Sequence, residues 1–164
     1  MTVPEYKIHS VELEEYKNYL DYVDILDSCK FYSIGKSGSF ELRMLITRQK
    51  GSSNMNDFNL GFGVWNDEIK DIDDEIETKN GDMQQILATV PKRALEFIEK
   101  NPEAEIFAKG STPSRTRLYQ MEIAKIIDDV PSGLRIEGLI SKNGIGFVEF
   151  QKGINFEAFL LSAK

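Results

Sequence analysis

The feature that most constrains this chain is a change of hydrophobic period partway along it. Up to Trp65 the large residues fall in short β-branched and aromatic runs broken by glycine: Lys30-Phe31-Tyr32-Ser33-Ile34, Phe40 to Arg48 and Phe58 to Trp65. Such runs, with Gly35-Lys36-Ser37-Gly38-Ser39 between the first two, predict strands and a turn. Gly61 and Gly63 in the third run mark a bulge or a close backbone approach. From Met83 the spacing becomes helical, with Ile86, Leu87, Val90, Ala94, Phe97 and Ile98 on one face and Asn101-Pro102 as the stop. Pro91 inside this pattern predicts a kink or a split, because its ring removes a backbone donor.

The remaining elements follow from the same signals. Val11 to Leu26 places Val11, Tyr16, Tyr19, Leu20, Val23 and Leu26 at three- and four-residue steps and predicts an acidic N-terminal helix over residues 1–30. A turn with a short strand around Ile69 to Ile72, or an irregular loop, follows Trp65. Ala104 to Ala108 predicts a short strand. Thr112 then caps a helix with Pro113 at its first position, running to Ile127. Arg135 to Ile140 and Ile145 to Phe150 form a hairpin on a primed Asn143-Gly144 turn, and Phe156 to Leu161 adds a last strand. The predicted fold is α+β: a mostly antiparallel sheet of about six strands, two main helices on one face and the N-terminal helix, in a single domain over 1–164. The element order is similar to that of ribonuclease-H-like domains, whose acids hold two metals. Only Glu105 stands at a corresponding place, so the comparison implies no catalysis.

Charge narrows the function classes. The chain of 164 residues carries 27 acids against 20 bases, a net charge of -7, and its pI is about 4.9. Duplex nucleic acid is an unfavourable partner for such a surface. No stretch is long and apolar enough for a membrane span, and the first ten residues lack a secretory pattern, so the expected location is the cytoplasm. The acidity is concentrated: residues 66–82 hold eight acids and two lysines, whereas residues 83–164 hold eleven bases and ten acids. A local basic site in the second half is therefore permitted.

Several motifs fail. Gly35-Lys36-Ser37 lacks the P-loop's earlier glycine, since Lys30 stands there. Asp71, Asp73, Glu75 and Glu77 imitate a calcium loop, but Ile76 replaces its glycine and Asp82 its closing glutamate. No Gly-x-Ser-x-Gly occurs, and a single histidine, His9, and a single cysteine, Cys29, leave only one nucleophile pair to consider. A lone cysteine is more often a small buried hydrophobe than a nucleophile.

Two candidates survive. Ser111, Thr112, Arg115 and Arg117 at a helix start combine orphan amides, hydroxyls and guanidinium groups, which suits a small anion or an anionic group on a partner protein. Its structural alternative is that the hydroxyls only cap the helix while the arginines pair with the acidic segment. Arg115 and Arg117 lie about 200° apart around a helix, so both cannot face one ligand without help from a loop. The second candidate is a Mg²⁺ or Ca²⁺ site on Asp73, Asp74 and Asp82; its alternative is a solvated acidic face.

Asn59-Leu60-Gly61-Phe62-Gly63, Asp73-Asp74, Asn80-Gly81-Asp82, Leu87-Ala88-Thr89-Val90 and Gly110-Ser111-Thr112-Pro113-Ser114-Arg115-Thr116-Arg117-Leu118-Tyr119 resemble successive blocks of an uncharacterised bacterial domain family of unknown function. The resemblance runs from about Phe31 to the C-terminus. It implies one α+β domain whose shared polar residues, Asn59 and Tyr119 with them, gather around the helix start, and it implies no activity and no cofactor. The sequence thus predicts a non-enzymatic binding module for an anionic ligand or partner group. A metal-dependent phosphoesterase or nuclease using the acidic loop is one alternative, and an acidic, antitoxin-like inhibitory partner is another. An oligomer is compatible with each.

Overall fold

A computed structural model describes residues 6–16, 23–73, 78–110, 112–130 and 132–164. Among the described residues nine strands share one sheet: β1 His9–Ser10, β2 Val23–Gly35, β3 Gly38–Gln49, β4 Asp57–Asn66, β5 Asp71–Asp73, β6 Glu105–Ala108, β7 Leu134–Ile140, β8 Gly146–Glu149 and β9 Phe159–Ala163. The spatial order is β1-β2-β3-β4-β6-β9-β7-β8, with β5 also on β4. Every pairing is antiparallel except β4 with β6, which are joined through helix α1, Met83–Lys100. Helix α2, Pro113–Ile126, connects β6 to β7. The fold is α+β as the patterning predicts, but with nine strands rather than six. Among the described residues no helix is long and apolar enough to cross a membrane.

The N-terminal prediction is corrected. The segment expected to be helical contains one 3-10 turn, Leu13–Tyr16, and is already strand from Val23 onward; residues 17–22 lie outside the described residues. Val23 and Ile25 do alternate as a strand should, but a bulge between Ile25 and Asp27 shifts the phase. The resulting spacing imitates a helix face. Helix α1 is also not split: it continues through Pro91. Burial of Val90, Ala94, Phe97 and Ile98 in the common core holds the helix on both sides of the missing donor.

The core lies between the sheet and the two helices. Phe31 of β2, Leu42, Met44 and Ile46 of β3, Ile106 of β6 and Phe159 of β9 pack against Ile86, Val90 and Ala94 of α1. The opposite face of β3 carries Leu45, which packs with Val11 and Tyr16, and Arg43, which lies 4.1 Å from the Trp65 ring centroid. Strand β3 is therefore buried on both faces, which explains its near-continuous apolar run. Arg43 is only 5% exposed. Burial works against its charge, but hydrogen bonds to Glu41 at 2.6 Å and to the Tyr16 hydroxyl at 3.0 Å leave its pKa raised. Asn143 and Gly144 both take positive φ, 62° and 68°, as a primed turn requires. The β7–β8 ladder closes at Ile140 and Gly146, however, so the connection is a five-residue loop over 141–145 containing a 3-10 turn and not the two-residue turn predicted.

Candidate functional site

Three places deserve comparison: the start of α2, the surroundings of Asp82, and a cavity between the sheet and the helices.

At the start of α2 the hydroxyls are engaged by the backbone. Thr112 Oγ1 accepts the Arg115 amide at 3.2 Å. Thr116 Oγ1 accepts the Gly110 amide at 3.0 Å and donates to the Thr112 carbonyl at 3.3 Å. Gly110 is needed for this closure, because a Cβ there would stand 2.5 Å from the Thr116 nitrogen. Thr112 is thus the cap that the sequence predicts, and Ser111 lies outside the described residues. Arg115 is half-buried and Arg117 exposed. Among the described residues neither forms an ion pair, so the expected pairing with the acidic segment is not seen there.

Asp82, at the residue before α1, turns its carboxylate inward. It accepts short hydrogen bonds from the Tyr6 and Ser33 hydroxyls and one from Thr78 Oγ1 at 3.3 Å. Asn80 adds to the cluster, donating to Ser33 Oγ at 3.0 Å and to the Gly38 carbonyl at 3.1 Å. Burial and then Asp82 raise the Tyr6 pKa. Asp73 belongs to β5, opposite Val64 of β4, and Asp74 lies outside the described residues. Among the described residues no three His, Cys, Asp or Glu side chains gather as metal ligands. The Asp82 cluster instead joins the N-terminal segment, the β2–β3 hairpin and the start of α1, a role its sequence spacing did not disclose.

The cavity measures about 420 Å³, within the roughly 300–1,000 Å³ common for small-molecule sites. Leu60 and Phe62 form its wall on the helix-facing side of the sheet, Val90, Ala94 and Ile123 its helix wall, and Leu45 lines it from the other face. Asn59, Gly61 and Tyr119 also line it. Its position follows from the strand ladder: β6 pairs with β4 only as far as Leu60, and β5 begins at Val64. Among the described residues the edge of β4 between those limits has no strand partner. Asn59 and Gly61 face one side of β4, opposite Thr47 and Leu45, whereas Leu60 and Phe62 face the other. The cavity reaches both sets at this gap. The Tyr119 ring packs on Phe62 with centroids 5.3 Å apart, and apart from its chain neighbours no heavy atom lies within 4 Å of a Cβ built on Gly61.

Two of the predicted ligand residues, Asn59 and Tyr119, therefore line the cavity, Asn59 from the Thr47 side of β4 and Tyr119 beside Phe62. Thr112, Arg115 and Arg117 are not on its wall. Sequence reasoning missed Lys109, Glu122 and Phe62, which are. The glycines of β4 were the available signal, since a strand glycine marks missing side-chain volume as well as a bulge.

Cys29 and His9 do not form a pair. Register places Cys29 opposite Ser10 and His9 opposite Lys30, so the two side chains leave opposite faces of the sheet. Cys29 is 1% exposed, and burial pushes its thiol up to about 12.

With this geometry in hand, residues 12–164 match the model of a family of unknown function, DUF6934. The chain belongs to this family. The DUF6934 match begins ahead of Phe31, so the 3-10 turn and the first half of β2 belong to the family domain and not to an extension of it. No curated protein and no solved structure matches the chain.

Proposed function

We propose that this DUF6934 chain is a non-enzymatic binding module that encloses a small, largely apolar molecule in the cavity between β4 and the two helices. The observation that carries the reading is the cavity itself: apolar on both walls, open at the gap in the β4 ladder, and edged by Asn59 and Tyr119. An apolar enclosure with a few polar groups favours burial of a hydrocarbon body while fixing its orientation. The reading moves the ligand from the α2 start to the cavity, because Thr112 and Thr116 are engaged in capping. Binding is favoured over turnover by the protonated, enclosed state of Cys29 and its separation from His9.

Titration with the neutral dye N-phenyl-naphthylamine tests this. The expected result is one saturable site per chain, with the blue-shifted emission of an apolar environment. No enhancement over buffer at saturating dye would refute the enclosure.

A further inference from the structure

The charges on the cavity wall indicate which head group the ligand carries. Asp71, Lys109 and Glu122 are the charged side chains that line it. Glu122 is held by Lys125, 3.0 Å away on the same helix. Asp71 accepts the Ile72 amide at 2.6 Å. Lys109 follows the last residue of β6, is exposed at the rim, and among the described residues has neither an ion-pair nor a hydrogen-bond partner. Glu157 is the acid near enough to feel its field, and that carboxylate is engaged by the Ser141 amide at 2.7 Å.

Lys109 does not stand alone. Gly110 brings the chain against the first turn of α2 so closely that its Cβ would lie 2.9 Å from Arg115 Cβ. Arg115 is therefore carried on the turn beside Lys109, and it too lacks an ion-pair partner among the described residues. Lys109 thus stands on the wall of the apolar enclosure, with Arg115 outside it on the adjoining turn. At such an edge, partly shielded from water, attraction for an anion exceeds that at an open surface.

Resting on the cavity reading above, we infer that the ligand is an amphiphilic anion, with an aliphatic or aromatic body inside the cavity and a carboxylate head at Lys109, steered by Arg115. Lysine is a point charge and imposes little geometry. It distinguishes the sign of a head group, and the tail is selected by the walls.

The test uses three probes with one tail, decanoate, decanol and decylamine, displacing N-phenyl-naphthylamine from the full chain below their aggregation thresholds. Decanoate is expected to bind about tenfold more tightly than decanol, the lower end for a charge-assisted contact, with decylamine weakest. Added salt should weaken decanoate alone. Lys109→Gln should bring decanoate down to the decanol value and leave decanol unchanged, and Lys109→Glu should make decylamine the tightest of the three. Lys109 is exposed, so neither change threatens folding. Equal binding of all three probes to the unaltered chain would overturn the head-group inference while the cavity reading stands. A decanoate preference that survives Lys109→Gln would also overturn it. No displacement by any probe would refute both.

Discussion

Filling the cavity from Gly61 separates binding from stability more cleanly than any other single change. Gly61 lies on β4 within the cavity wall, a Cβ built on it meets nothing within 4 Å, and its backbone is outside the left-handed region. An L side chain is therefore accepted without strain and projects to the Leu45 and Thr47 side of the cavity, at the gap in the β4 ladder where a ligand would have to pass. Leucine adds four carbons, so it displaces about four carbons' worth of buried ligand. At about 0.8 kcal/mol per methylene this costs about 3 kcal/mol, roughly two orders of magnitude in Kd. Gly61→Ala removes about one carbon of room, or roughly a fourfold loss. Stability should hold or rise by about 0.5–1 kcal/mol, because a strand glycine is replaced by a residue with less freedom in the unfolded chain. Dye titration and urea unfolding of the unaltered chain, the alanine variant and the leucine variant provide the series. If Gly61→Leu retains the dye affinity of the unaltered chain while folding normally, the ligand does not occupy this cavity and the reasoning fails.

Other outcomes follow from contacts outside the cavity. Gly110→Ala should destabilise by about 1–3 kcal/mol in urea unfolding, because the added carbon collides with the Thr116 nitrogen and the Arg115 carbonyl carbon at 2.5 and 2.8 Å, backbone that cannot yield without opening the α2 cap. Asp82→Asn should cost about 1.5–3 kcal/mol through its bonds to Tyr6, Ser33 and Thr78, and hydrogen exchange should show faster opening around Tyr6. Cys29 should resist a thiol reagent at pH 8 in the native chain and react only on unfolding. Burial pushes its folded pKa up to about 12 from an ordinary thiol value of 9.0, so the native state holds the proton longer. Stability linked to this thiol is fully present below pH 9 and is lost as pH rises toward 12, and Cys29→Ala should flatten that alkaline limb of the stability profile.

How much was legible in the sequence depended on whether neighbours in the chain were also neighbours in the fold. Helix α2 was readable because Thr112, Pro113 and the following spacing are local signals, and its cap formed as its residues dictate. Strands β3 and β4 were readable from their own runs. Strand β1, with two residues, pairs on the edge of β2 and no local pattern announced it, whereas β5 fell at the short strand that was one of two readings around Ile69 to Ile72. The beginning of β2 was disguised by the bulge after Ile25. The cavity itself was not legible: Asn59 and Tyr119 were singled out for the helix start, and the space both line depends on where two ladders stop along β4, which is a matter of register. Lys109 was passed over because a single lysine in sequence carries no sign of being unpaired at a rim.

The central claim, a ligand seated between β4 and the helices, is tested most directly by photo-crosslinking the full chain with an aliphatic carboxylate bearing a diazirine in its tail, followed by peptide mapping. The account predicts label on the segments containing Phe62 and Ile123, which both line the cavity, and its loss in Gly61→Leu. Label confined to the exposed hairpin residues Ile145 and Phe147, or label that persists in Gly61→Leu, would contradict it.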